Sequence, residues 1–92
     1  MNEIALTARP SLAPHARLQA DRTGKDVLLY PEGILELNET AKAILAHCDG
    51  RTTVEKLIAA LAEDYEIDAG EMQADVLEYL RDLQQRRLLV LC

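Results

Sequence analysis

The chain has no phenylalanine and no tryptophan, and three tyrosines are its whole aromatic content. Although 49% of its residues are hydrophobic, a core for these 92 residues must be built from Leu, Ile, Val and Ala. That length suits one domain with a modest core and is too short for two. Small Leu-rich cores are often stabilised further by a partner or by self-association, so a homodimer is compatible with the composition. Cysteine is scarce as well. Cys48 falls in a helical pattern and Cys92 is the last residue, which argues against a designed bridge. Two free thiols in a reducing cytosol are expected, with Cys48 as a small core residue. No apolar run approaches the roughly 20 residues that cross a bilayer. The N-terminal stretch MNEIALTARPSLAPHA has neither a basic leading region nor a continuous apolar run, so no signal peptide is expected. A soluble, cytoplasmic protein follows from these absences.

Positive charge is missing where a nucleic-acid binder would need it. The balance is 10 basic against 16 acidic residues, net −6, and between Leu57 and Leu80 there is no Lys or Arg at all. Glu63, Asp64, Glu66, Asp68, Glu71, Asp75 and Glu78 all fall in that span. Phosphate binding draws much of its affinity from counterion release by a basic face, so this half should repel nucleic acid and anionic membranes. Catalytic and metal-binding sets are missing too. His15 lies in the N-terminal stretch, and His47 neighbours Cys48, but adjacent helix positions point about 100° apart and do not converge. There is no Ser-His-Asp or Cys-His arrangement, no Gly-rich phosphate loop and no paired metal-ligand spacing. The protein is expected not to be an enzyme and to carry no cofactor or metal.

What is present is a strand-rich first half and a helical second half. Residues 1–15 contain two prolines and no sustained period, and read as a flexible N-terminal arm; residues 16–92 read as a single domain. Arg17-Leu18-Gln19-Ala20-Asp21 alternates polar and apolar, a Gly-containing turn follows, and Val27-Leu28-Leu29-Tyr30 is a compact apolar run. Pro31-Glu32-Gly33 reverses the chain, with Gly accepting a positive φ, into a third strand at Ile34–Leu37. Short turns make these strands antiparallel neighbours, a β-meander. Asn38 then caps a helix whose buried face is Ala41, Ile44, Leu45 and Cys48, ended by Asp49-Gly50. Thr52-x-x-Glu55 is a capping box opening a second helix with the stripe Val54, Leu57, Ile58, Leu61 and Tyr65. Asp68-x-x-Glu71 opens a third, with the stripe Met72, Val76, Leu77, Leu80 and Leu83. Arg86-Arg87 suits its negative end, and Leu88–Leu91 is a docked tail or a fourth strand. The class is α+β, a three-stranded antiparallel meander followed by three helices, which is also the composition of winged helix-turn-helix domains.

Two features suggest binding. The acidic run could be a solvated face or a docking surface; from its end onward Asp75, Tyr79 and Asp82 fall on one side of the third helix. The meander leaves two edges with unpaired backbone groups, and the strands Val27–Tyr30 and Ile34–Leu37 contain no Lys and no internal Pro to block pairing. An extended peptide can add to such an edge as an extra strand, unless the C-terminal tail or a second subunit covers it.

Residues in a fixed order carry a resemblance to one family. They are Pro10 and Leu12; Arg17-Leu18 and Asp21; Leu28-Leu29-Tyr30-Pro31-Glu32-Gly33; Leu37-Asn38; Ala41, Ile44-Leu45 and Cys48-Asp49-Gly50; then Thr53-Val54, Leu61, Tyr65, Asp75-Val76, Leu80 and Leu83. Across residues 10–89 the chain resembles PqqD, the small D protein of pyrroloquinoline quinone (PQQ) biosynthesis. The resemblance implies a winged-helix-like peptide recognition element, of the kind called a RiPP recognition element. It implies two partners: the precursor peptide PqqA, and the radical SAM enzyme PqqE, which cross-links a Glu and a Tyr within that peptide. It further implies that the peptide adds to the third strand, here Ile34, Leu35, Glu36 and Leu37. The peptide would also lie against the third helix, drawing contacts from Asp75, Val76, Tyr79, Leu80, Asp82 and Leu83. The chain departs from the family after that helix, where relatives commonly have Gly and this sequence has Gln85-Arg86-Arg87. A DNA-binding regulator is the competing reading from architecture alone, and requires a basic recognition helix; a structural dimerisation module would need no peptide.

Overall fold

Short strands come first along the chain, helices follow, and a last strand returns to pair with the first. A computed structural model of the chain describes residues 4–91. Its elements are β1 (Pro10–Leu12), β2 (Arg17–Ala20), β3 (Asp26–Tyr30), β4 (Gly33–Glu36), α1 (Glu39–Ala46), α2 (Val54–Tyr65), α3 (Ala69–Gln85) and β5 (Leu89–Leu91). Strands β2-β3-β4 form an antiparallel meander, and β1 pairs with β5 in a separate two-stranded sheet. The fold is α+β, with the expected meander and three helices in the expected order.

Side-chain chemistry explains the turns. Between β2 and β3 the Asp21 carboxylate accepts hydrogen bonds from the Thr23 amide (2.8 Å), the Thr23 hydroxyl (2.7 Å) and the Lys25 amide (3.0 Å). Gly24 supplies the positive φ, +86°, that this loop needs. These bonds, the Thr23 hydroxyl first, hold the Asp21 carboxyl below the usual aspartate pKa. The β3–β4 reversal needs only Pro31-Glu32. Contrary to the expectation, Gly33 is not among the positive-φ glycines and lies inside β4, paired with Tyr30.

The helix boundaries follow caps. Asn38 accepts from the Ala41 amide at 2.8 Å, as expected. However, α1 ends at Ala46, before Asp49-Gly50. Asp49 instead accepts from the Arg51 and Thr52 amides (2.8 and 2.9 Å), and the Gly50 amide donates to the Pro10 carbonyl (2.9 Å). That pair ties β1 down and turns the chain into α2. The N-cap of α2 is Thr53, one residue later than the expected capping box, with its hydroxyl accepting from the Lys56 amide. Asp68 caps α3 through the Gly70 and Glu71 amides.

The expected flexible arm is otherwise. From residue 4 onward the segment is built into the domain, and residues 1–3 lie outside the described residues. The first amides of a helix have no intrahelical partner, and in α2 those of Val54 and Glu55 donate to the carbonyls of Ala8 and Leu6 (2.9 and 3.0 Å). Ala13 donates to the Leu88 carbonyl at 2.9 Å, and the side chains of Ile4, Pro10 and Ala13 are buried. Leu88–Leu91 resolves into a buried Leu88 followed by β5, in register Pro10↔Leu91, Ser11↔Val90 and Leu12↔Leu89.

The core is aliphatic, as the lack of large aromatics requires. Leu28, Ile44, Val54, Leu57, Leu61, Met72, Val76, Leu80, Leu83 and Leu88 are its most buried members, and no polar or charged residue is buried among the described residues. Two stripe assignments shift outward: Leu77 is half-buried and Tyr65 is 37% exposed. Tyr65 is the last residue of α2, where Glu66 turns into the left-handed region (φ 53°) and the chain leaves the helix.

The end of α3 resolves the departure from the family pattern. Arg87 has φ 60°, its amide donates to Gln84 (3.0 Å), and the Leu88 amide donates to Leu83 (2.9 Å). This is the paired closure in which glycine is favoured, because a side chain is strained in the left-handed region. Arg87→Gly is therefore expected to stabilise the fold by about 0.5–1 kcal/mol, the relieved strain exceeding the added entropy of the unfolded chain. Thermal and urea unfolding of the two proteins check this.

Candidate functional site

The meander has two edge strands, β2 and β4, each paired only with β3, and β4 is the one on which the expected peptide site falls. The C-terminal tail, which could have covered it, is held against β1 instead. Which groups β4 offers follows from its register. The Leu37 amide donates to the Asp26 carbonyl (3.0 Å), and pairs in an antiparallel ladder alternate between bonded and non-bonded. Residues 33, 35 and 37 therefore turn their backbone groups toward β3, while Ile34 and Glu36 turn theirs to the open edge. The same two residues carry the exposed side chains, Ile34 at 62% exposure, whereas Leu35 and Leu37 are half-buried and pack against the core. The strand ends at Glu36, so Leu37 lies one residue past it.

On α3 the six expected contact residues divide cleanly. Asp75 and Asp82 are exposed and Tyr79 is half-buried between them. Val76, Leu80 and Leu83 are each 0% exposed. The last three are core residues and offer no surface to a ligand, because the helical period that puts Asp75 and Tyr79 outward puts them inward. They hold α3 in place as the floor beneath the site.

Three open depressions join through shared residues. One of about 480 Å³ lies at the end of β4, lined by Lys25, Asp26, Glu36, Leu37, Asn38 and Glu39. A second, about 300 Å³, lies between α1 and α3, lined by Asn38, Thr40, Ala41, Ile44, Asp75 and Tyr79. The third, about 530 Å³, runs along α3 past Asp75, Glu78, Tyr79, Arg81, Asp82 and Gln85. Asn38 links the first to the second, and Asp75 with Tyr79 links the second to the third. The sequence reading missed Glu78, Arg81 and Gln85, although spacings of three and four from Asp75, Glu78 and Arg81 place them on or near the same face. Nothing local signalled Asn38, Thr40 and Ala41, which reach the groove only because α1 packs beside α3.

Polar contacts here are sparse. Arg86 Nε donates to Asp82 Oδ2 at 3.1 Å, and Lys42 Nζ lies 3.0 Å from Asp26 Oδ2. Burial first, and then the Asp82 charge, raises the Tyr79 pKa above the usual phenol range, keeping it a neutral hydroxyl at physiological pH. Among the described residues no three His, Cys, Asp or Glu side chains converge as a metal site, and no helix is long and apolar enough to cross a membrane. The surface can bind and orient an extended ligand.

A family model, coenzyme PQQ synthesis protein D (PqqD), matches residues 26–89. The chain belongs to the PqqD family. A PqqA binding protein of Xanthomonas oryzae pv. oryzae (strain KACC10331 / KXO85) is 39% identical over 90 residues, covering 97% of this chain and 98% of the relative. One from Xanthomonas axonopodis pv. citri (strain 306) is 37% identical over the same shares. The solution structure of the PqqD truncation of Methylobacterium extorquens PqqCD, described as a functional and stand-alone RiPP recognition element, is also similar. It superposes with a TM-score of 0.79 at 35% identity, over 95% of this chain and 94% of that one. The crystal structure of PqqD from Xanthomonas campestris gives 0.59 at 35% identity, over 92% and 96%. The winged-helix-like description agrees with these PqqD folds.

Beside Tyr79's face of the core, Cys48 is 7% exposed, its thiol donating to the Ile44 carbonyl at 3.3 Å. Burial, with the Asp49 charge adding to it, pushes its pKa up to about 12. Since the thiolate is the reactive form, Cys48 in the folded protein is expected to resist iodoacetamide at pH 8 and to react once urea unfolds the chain. Peptide mapping by mass spectrometry reads this.

Proposed function

We propose that this PqqD-family protein is a non-catalytic peptide chaperone of PQQ biosynthesis, acting in the cytoplasm. It binds the precursor peptide PqqA by strand addition to β4, with the peptide leaning on the groove of α1 and α3, and presents it to the radical SAM enzyme PqqE. The observation that carries this reading is the free edge of β4, where Ile34 and Glu36 turn both backbone groups and side chains outward. The relatives named PqqA binding proteins support the choice of ligand. Holding the peptide beside the enzyme would raise its effective concentration there. The contact set is Ile34, Leu35 and Glu36 with Leu37 at the strand's end, and Asp75, Tyr79 and Asp82 on α3.

The winged-helix likeness does not favour DNA. The outward face of α3 carries Glu71, Asp75, Glu78 and Asp82 as exposed carboxylates, where a recognition helix needs cations to meet phosphates. Nor does any observation favour a dimerisation module over a peptide site.

Titrating isotope-labelled protein with PqqA is expected to shift the amide signals of Ile34 and Glu36 and those near Asp75, Tyr79 and Asp82. Adding PqqE is expected to give a ternary complex on a sizing column. No amide shift at high-micromolar peptide would sink the proposal. Proline offers a sharper probe. At position 34 it removes an amide that faces the open edge and leaves the β3 ladder intact. Ile34→Pro should fold and bind PqqA about three- to tenfold more weakly, the worth of one hydrogen bond. Leu35→Pro should instead lower the melting temperature, because that amide is turned toward β3.

A further inference from the structure

The joined depressions are unevenly charged. Six carboxylates line them, those of Asp26, Glu36, Glu39, Asp75, Glu78 and Asp82, against two cations, Lys25 and Arg81. Asp26 and Asp82 are in ion pairs with Lys42 and Arg86. The other four have no ion-pair partner among the described residues. Of these, Glu36 is placed unlike the rest. It sits on the open edge strand, exposed, and its cross-strand neighbour on β3 is the apolar Val27, which neutralises nothing. A strand added to β4 must set one side chain directly over Glu36 and another, two residues along, over Ile34, since both lie on the same face with the same backbone direction.

We infer that the peptide segment this protein accepts is a basic one, with a Lys or Arg over Glu36 and an apolar residue two positions away over Ile34. This rests on the strand-addition reading and adds to it the chemistry of the ligand. Opposite charges directly across a strand pair attract, whereas an acidic residue there would be set directly against the Glu36 carboxylate. The same field would speed encounter with a cationic segment at low salt and fade as salt screens it. The partner is thus a peptide of alternating pattern with local positive charge. The acidic groove selects it, and the backbone bonds of Ile34 and Glu36 hold it.

The test uses the intact protein and PqqA in which each Lys and Arg is replaced by Gln, one at a time, with affinity read by fluorescence anisotropy at low and at physiological salt. One replacement is expected to weaken binding roughly three- to fivefold, in line with a cross-strand charge pair. In Glu36→Gln the same replacement should cost nothing further. Glu36→Lys should bind PqqA poorly and recover with the peptide carrying Glu at that position, a rescue that a merely structural role for Glu36 would not produce. If every replaced peptide binds within twofold of PqqA at both salts while the amides of Ile34 and Glu36 still shift, the charge inference is overturned and strand addition stands. If those amides do not shift, strand addition fails and the inference falls with it. Edge and groove signals that move on dilution of the protein alone would assign the surface to a second copy and overturn the inference as well.

Discussion

The antiparallel pairing of β1 with β5 is the contact on which the rest of this molecule depends. It joins the two ends of the chain, and both flanks of that pair are put to use. On one side the N-terminal segment supplies carbonyls to the free amides at the start of α2 and receives the Gly50 amide. On the other, Leu88 and Leu89 enter the core behind α3. Because the C-terminal strand is committed there, it is not available to β4. An open sheet edge normally attracts a partner strand, and β5, which could have supplied one, is engaged with β1. The open edge is therefore a consequence of how the termini close the fold.

A second constraint is the division of labour on α3. Val76, Leu80 and Leu83 have no exposure, and their burial among Leu and Ile side chains anchors the helix. Asp75, Glu78 and Asp82 on its outer face have no structural task beyond one ion pair to Arg86. With no large aromatic to fill space, the core relies on many interdigitated aliphatic contacts, each small and together large. That arrangement leaves the outer surface to be tuned by charge without disturbing the packing. Tyr79 lies on the boundary, half-buried and lining the groove between α1 and α3.

Much of the fold was legible from local chemistry. Asn38 and Asp68 cap helices where their side chains said they would, and Arg17–Ala20, Asp26–Tyr30 and Gly33–Glu36 form the meander that the turns implied. The misplacements have local causes. Asp49 and Thr53 are both good capping residues, and which amides each accepts from depends on where β1 lies. Pro10–Leu12 is too short and too irregular to announce a strand, and it becomes one only because Leu89–Leu91 lies opposite. For the candidate site, helical spacing brought Asp75, Tyr79 and Asp82 together correctly, but it was applied to both faces of α3, so the buried Val76, Leu80 and Leu83 were counted as contacts. The part of the groove lined by Asn38, Thr40 and Ala41 carried no signal in its own neighbourhood.

By itself, then, the sequence determined the secondary-structure menu, the aliphatic core, the acidic helical half and the membership in the PqqD family, because caps, periodicity and charge are properties of nearby residues. The tertiary structure alone decided that the β4 edge is left open by the C-terminal strand, which face of β4 and α3 meets solvent, and how α1 and α3 join into one groove. Those outcomes depend on pairing between residues as far apart as Ser11 and Val90, and no local pattern encodes a choice between two strands competing for the same partner.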